Sequence, residues 1–220
     1  QHTYATAGTK TIKVSGTFPN IRFSNGGDRS KVLSVLNLGV VGWLDLKNAF
    51  YGCNNLSAFI AGATNTASVI EFAGMLRNCS SLDFNQLTTL STVSSTDFKN
   101  MFKGCTSVKT IDCSTFQTSR AVDLSSMFQN CSSLTDVINV EWFNIEDLNS
   151  VGDLDDFMTD VTLPTARYDQ LLINWDAQTV NAGLSPNFGA STYTGGGVAA
   201  AARANLLSND LWTISDGGVA

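Results

Sequence analysis

Asn100-Met-Phe-Lys-Gly-Cys105-Thr-Ser-Val108 is one of four stretches of this chain that align without a gap. The others are Asn48-Ala-Phe-Tyr-Gly-Cys53-Asn-Asn-Leu56, Gly74-Met-Leu-Arg-Asn-Cys79-Ser-Ser-Leu82 and Ser126-Met-Phe-Gln-Asn-Cys131-Ser-Ser-Leu134. Cys53, Cys79, Cys105 and Cys131 are 26 residues apart in turn. A fixed period of roughly 20–50 residues is the signature of stacked supersecondary units, none of which can bury its apolar face alone. The residue before each cysteine is Gly52, Asn78, Gly104 or Asn130. These two types enter the left-handed backbone region at least cost. A short helical turn is expected to end there, with Ala49-Phe50, Met75-Leu76, Met101-Phe102 and Met127-Phe128 pointing inward and the Gly or Asn as its C′ residue.

Beyond the turn, Val108-Lys-Thr-Ile111-Asp-Cys113 alternates with period two and reads as a short strand. Phe116, Val122 and Leu124 continue inward-facing positions on the return path, with Ile70 and Phe72 matching Val122 and Leu124 one unit earlier. Stacked units would pair strand on strand in a parallel ladder about 4.8 Å apart. The expected fold class is an α/β solenoid: a short coil with a parallel strand ladder, a β-rich N-terminal cap and a helix-containing C-terminal cap.

The pattern M-F-x-G/N-C-x-S-L, repeated every 26 residues over roughly residues 45–160, resembles the BspA-type leucine-rich repeat of bacterial, phage-encoded and protist surface proteins. The resemblance implies an exported or virion-displayed protein that binds a host-surface protein, a matrix protein or a glycan, without catalysis. Two departures stand out. Asn85 occupies the position held by Phe59, Ile111 and Val137 in the other units. The stretch from Asp136 to Asp156 runs about four residues long before a degenerate copy, Asp156-Phe157-Met158-Thr-Asp-Val161, in which Val161 stands where the cysteine would. A copy without its cysteine suits a capping repeat.

The expected division is residues 1–46 as the N-terminal cap, 47–163 as the repeats and 164–220 as a C-terminal cap module. His2 to Phe18 alternates polar and apolar residues between glycines, reads as antiparallel strands and resembles the last strands of a PKD-like immunoglobulin-type module. Residues 165–175 place Tyr168, Leu171, Leu172 and Trp175 at helical spacing, and a second helix is expected from Val198 to Leu207. A strand over 211–214 and a turn at Asp216-Gly217-Gly218 would follow. The C-terminal pattern resembles a module often found after these repeats, where it would cover the open edge of the last coil.

Nineteen acids against thirteen bases give a net charge of −6, the wrong sign for a phosphate-backbone binder, so no nucleic-acid partner is expected. No apolar run approaches the ~20 residues of a membrane span. The first residues, Gln1-His2-Thr3-Tyr4, lack the features of a signal peptide, which leaves export open and admits a piece of a larger chain or assembly. The one histidine, His2, offers no base for a catalytic triad, so no catalytic residues are assigned and no enzyme is expected.

Read as ligands, the evenly spaced cysteines would be strung out in a line rather than gathered as the close pairs of a zinc site, and no metal is assigned. Adjacent units would bring their Cα atoms within disulfide reach. An odd count, with Cys113 as the fifth, favours buried free thiols acting as small apolar fillers. Asp153, Asp155 and Asp156, with Glu146 and Asp147 nearby, could offer oxygen atoms to Ca²⁺, but they lack the D-x-D-x-D-G spacing, which favours a solvated acidic loop, and no cofactor is assigned. Gly195-Gly-Gly197 reads as a flexible lead into the second helix.

If Ile111 and Cys113 point inward, Thr110, Asp112 and Ser114 point outward. The register then puts Ala58, Ile60, Phe84, Gln86, Thr88, Asp136, Ile138 and Val140 beside them. Ile60, Phe84, Gln86, Thr110, Asp112, Asp136 and Ile138 are thus the candidate ligand-binding residues for a protein or glycan, unless loops or caps cover the face. The expected role is a surface adhesion or recognition module, extracellular or at the cell surface. Two alternatives are a receptor-binding or decorating element of a phage virion and a structural spacer or assembly subunit.

Overall fold

The computed structural model describes residues 5–220, without the side chain of Phe84. His2 and the start of the expected N-terminal strands lie outside the described residues. The strands are β1 (Ser34–Val35), β2 (Ala58–Ile60), β3 (Phe84–Gln86), β4 (Thr110–Asp112), β5 (Asp136–Ile138), β6 (Thr192–Tyr193) and β7 (Gly218–Val219). The helices are α1 (Thr165–Asp176) and α2 (Val198–Ser208).

The expected α/β solenoid, with one parallel strand ladder, does not form. Among the described residues the strands are two or three residues long and make three separate parallel sheets, β1-β2-β3, β4-β5 and β6-β7, and both α-helices lie after residue 164. The ladder breaks between β3 and β4. There Asn85, the polar exception in the repeat, donates its side-chain amide to the Thr110 carbonyl at 2.9 Å, and no backbone strand pairing is formed across that seam. Three-residue strands have few ladder bonds to lose, so one polar residue at the centre is enough to open a gap.

What stacks without interruption is the turn. The expected helical turn is absent, because each turn carries two left-handed residues rather than one. They are Asn48 and Gly52, Gly74 and Asn78, Asn100 and Gly104, Ser126 and Asn130, then Asp156 and Asp160, all with φ between 53° and 79°. Two such residues four apart exclude α-helix and fold the segment into consecutive tight turns.

Backbone donors in the turn alternate in their use. Tyr51 and Cys53 N–H close the turn onto the Asn48 and Phe50 carbonyls, whereas Asn48, Phe50 and Gly52 N–H donate to Ala73, Met75 and Arg77 O at 2.8 Å each. The same relation links Gly74, Leu76 and Asn78 to Lys99, Met101 and Lys103, and continues through Phe128 to Phe157. Every donor of the turn thereby has a partner, as a buried backbone requires.

Side chains reinforce the stack at the same period. Phe102 and Phe128 lie parallel with ring centroids 5.6 Å apart, and Phe157 meets Phe128 edge-on at 5.4 Å. Each fully buried ring contributes on the order of 1.5–3 kcal/mol. Buried Thr66 and Thr92 each accept from and donate to the following unit, at Ser91 and Gln117 respectively, and Thr118 accepts from Asn144 N–H.

Several local expectations are also corrected. Residues 5–18 form no strand, and Ile12 and Val14 stand 73% and 51% exposed, because no second strand lies beside them to pair with. The β-rich cap reduces to the two-residue β1, to isolated bridges at Asn20↔Asp45 and Gly39↔Thr64, and to Phe23 and Asn25, whose N–H groups dock on Ala49 and Tyr51 O. Ile70 and Val122 are 55% and 43% exposed rather than inward, whereas Phe72 and Leu124, two residues on, are fully buried. Val140, expected outward, is buried because the chain enters a single 3-10 turn at Val140–Trp142. Residues 211–214 are not a strand. Pairing begins at Ser215, bridged to Asn187, and continues in β7, where a turn was expected.

Candidate binding surfaces

The registers Ile60↔Gln86, Thr110↔Asp136 and Asp112↔Ile138 place six of the seven strand-face residues in adjacent pairs, and Phe84 pairs with Ala58. Gln86 and Thr110 are exposed, and Ile60, Asp112, Asp136 and Ile138 half-buried. The alternating Phe59, Ile111 and Val137 are fully buried, which is why their neighbours face out. The face falls into two halves, one on β2-β3 and one on β4-β5, meeting at the Asn85 seam. Asp112 Oδ1 accepts from Ser114 N–H at 2.8 Å and so also shapes the end of its strand.

Helix α1 closes one end of this face. Arg167 forks onto Asp136 at 2.9 and 3.1 Å and reaches Glu141 Oε1 at 2.6 Å. Asp136 is therefore committed to holding the helix rather than being a free contact. An open pocket of about 450 Å³ lies there, lined by Asp136, Glu141, Pro164, Ala166, Arg167 and Gln170. Arg167 and Glu141 are neighbours of the candidate face that sequence spacing does not disclose, since the contact joins elements 26 and more residues apart with no shared motif. Behind α1, Leu171, Leu172 and Trp175 are buried, Trp175 meets Phe157 at 5.8 Å, and Asp216 accepts from Tyr168 and Arg203.

All five cysteines are buried free thiols. Cys79, Cys105 and Cys131 Sγ donate to the carbonyls of Phe50, Leu76 and Phe102 in the preceding unit at 3.3, 3.1 and 3.1 Å. Burial pushes Cys53 and Cys131 up to about 12, and Cys79, Cys105 and Cys113 up as well. Such thiols are poor nucleophiles at neutral pH.

Gly52, Asn78, Gly104 and Asn130 form one column, extended upward by Asn25. The Asn25 and Asn78 side-chain oxygens lie where a Cβ on Gly52 and Gly104 would be, so amide and glycine alternate along the stack. Beside this column runs an open groove of about 470 Å³, lined by Asn25, Arg29, Asn54, Asn78, Ser80 and Thr106 among others. At the start of the same turns Asp45, Glu71, Asp97 and Asp123 make a second column, bridged Glu71↔Asp97 and Asp97↔Asp123. Asp45, Asp97 and Asp123 accept from the N–H two residues on, and Lys47 and Lys99 pair with Glu71 and Asp123. Their 26-residue spacing was a sequence signal of the same kind as the cysteines.

Three of the five residues considered for Ca²⁺ serve local turns. Asp153 Oδ2 accepts from Asn149 and Ser150 N–H, Asp156 from Thr159, and Glu146 from Asn144. Among the described residues no three His, Cys, Asp or Glu side chains converge as a metal site would need. Gly197 caps the start of α2 without a side-chain bond. No helix of the described residues is long and apolar enough to cross a membrane.

Residues 44–162, just over half of the chain, match the family described as Mycoplasma protein of unknown function, DUF285. The chain belongs to this family. The match begins just before the Asn48 turn and ends after Val161, so in this DUF285 chain the family region covers the stacked turns from Asn48 to Asp160. No curated protein and no solved structure matches the chain.

Proposed function

We propose that this DUF285 protein is a non-enzymatic recognition module of the kind its BspA-like repeats imply, binding a host-surface protein or a glycan through the β2-β3 and β4-β5 face at a cell surface. The observation that carries the reading is the face itself. Ile60, Gln86, Thr110, Asp112 and Ile138 stand on one side of two short sheets whose opposite side buries Phe59, Ile111 and Val137. Mixed apolar and polar groups on a rigid backing suit contact that needs both desolvation and hydrogen bonding. Thiols with raised pKa values argue in the same direction, away from covalent chemistry.

Gln86→Arg with Thr110→Arg tests this, because both side chains are exposed and neither hydrogen-bonds within the chain among the described residues. Against an array of host glycans and immobilised matrix proteins, the parent should bind at least one probe. The double variant should lose about tenfold or more with an unchanged melting temperature, as placing bulk in a contact centre does. Equal binding by the variant, or none by the parent, would overturn the reading.

A further inference from the structure

We propose that the turn edge is a second binding site, for an acidic oligosaccharide whose carboxylate or sulfate groups are held by Arg29, Arg77 and Lys103 while its hydroxyls bond the Asn, Ser and Thr side chains of the adjoining groove. Three features carry this independently of the strand face.

First, the cations are placed beside one groove, and none of the three is in an ion pair among the described residues. Arg77 and Lys103 immediately precede Asn78 and Gly104, which line the groove, and Asn78 N–H donates to Lys103 O at 2.7 Å, so the two residues sit on adjacent rungs about 4.8 Å apart. Arg29 lies at the end of the same groove, against Gly52. Among the described residues Arg22, Lys47, Lys99, Arg167 and Arg203 each have a carboxylate within ion-pair distance, whereas Arg29, Arg77 and Lys103, like Lys10, Lys13, Lys31, Lys109 and Arg120, have none; what sets the three apart is their place beside one groove. In a chain of charge −6, acids are in surplus. They are gathered instead at the start of the turns, in the Asp45-Glu71-Asp97-Asp123 column.

Second, Arg77 is held in place without being satisfied. Its guanidinium carbon lies 4.8 Å from the centre of the Tyr51 ring, and its Nε is buried with no hydrogen-bond partner. A stacked, pre-oriented guanidinium presents its remaining donors to a planar anion with little entropy left to lose. Burial and the Arg77 and Lys99 charges lower the pKa of Lys103 despite the opposing charge of Asp156, a cost that an anion between Arg77 and Lys103 would relieve.

Third, the lining chemistry selects a sugar. No carboxylate lines the groove, and its side chains are amides and hydroxyls apart from Arg29. These donate and accept, as hydroxyl-rich ligands require. Three cations are too few for a polyphosphate backbone, whose binding rests on many charge contacts.

The test uses the full chain and three hexasaccharides: one sulfated, one of uronic acid without sulfate, and one neutral. Calorimetry at low salt should show at least tenfold tighter binding of one or both acidic probes than of the neutral one. The comparison of sulfated with uronate probe says which anion is preferred. Arg77→Gln with Lys103→Gln should abolish that preference and flatten the salt dependence, Arg29→Gln alone should reduce it, and the charge-neutral Gln86→Ala with Thr110→Ala should leave it intact. Equal binding of neutral and acidic probes overturns the site, as does an unchanged preference in the folded Arg77 and Lys103 variant. Should that pair not fold, Arg29→Gln and Lys103→Gln singly give the same reading. Inorganic triphosphate binding as tightly as the hexasaccharides would overturn the sugar assignment.

Discussion

The turns and the strands stack the same units, with the same 26-residue period, yet only the turns stack without a gap. From Phe23 to Thr159 each turn hands alternate N–H groups to the next, whereas the strand pairing stops at β3 and resumes at β4. The difference lies in how many independent interactions hold each rung. A turn has three or four inter-unit backbone bonds, an aromatic or aliphatic stack and a thiol bond, so no single side chain decides it. A strand has three residues, and one asparagine at its centre changes the outcome. Continuity in this protein therefore comes from turn chemistry, and the strand face is carried by it.

The largest break in that comparison is expected at Gly104. An Ala there would keep φ at +75° against a cost of about 1–2 kcal/mol, and its Cβ would overlap the Asn78 side-chain oxygen, for about 1–3 kcal/mol more. Gly104→Ala should thus lose about 3 kcal/mol in urea unfolding. Adding Asn78→Gly should return the overlap share and leave the backbone share. A single variant within about 0.5 kcal/mol of the parent, the range of ordinary surface substitutions, would show that the turn column is not what holds the stack.

How much of this was legible beforehand follows the same division. Gly52, Asn78, Gly104 and Asn130 announced left-handed backbone because only two residue types fill one column. The companion positions in the same four turns, Asn48, Gly74, Asn100 and Ser126, mix three types and so carried a weaker signal. Thr66, Thr92 and Thr118 and the acidic column repeat as strictly as the cysteines, but polar residues read as solvated until their hydrogen bonds are known. Asn85 was visible as an exception, while its consequence depended on a neighbour 25 residues on. For the site, the outward register of Thr110 and Asp112 followed from alternation. The capture of Asp136 by Arg167 did not, because docking of a helix on a strand end is a tertiary event with no local pattern.

A smaller effect is expected at the seam. Asn85→Ala removes the one amide bond bridging β3 to β4 and should cost about 1 kcal/mol, since a single hydrogen bond is all that is lost. Hydrogen exchange should then quicken at Thr110 to Asp112 and remain slow at Phe102 and Gly104 in the adjoining turn, whose bonds are untouched. Exchange quickening equally in both regions would mean that strands and turns open as one unit, and the contrast between them would fall.

The smallest effect, and the only one that depends on pH, belongs to the acidic column at the start of the turns. Burial, with the charges of Asp123 and Glu71, raises the pKa of Asp97 above its ordinary value, although its bond from Lys99 N–H at 2.9 Å works the other way. A carboxyl whose folded pKa lies above its unfolded value favours folding when protonated. The penalty is absent below the unfolded value of about 3.9, grows as pH rises through the folded value and is fully present at neutral pH. Asp97→Asn keeps an acceptor oxygen for Lys99 and removes the charge. It should raise stability at pH 7 by about 0.5 kcal/mol, the scale of partly exposed charge interactions. The gain should vanish at pH 3, where parent and variant are both uncharged at this position. Gly104→Ala, a steric change, should by contrast cost the same at both pH values. A gain from Asp97→Asn that persisted at pH 3 would place its origin in packing and remove electrostatics as a distinction between this column and the left-handed one.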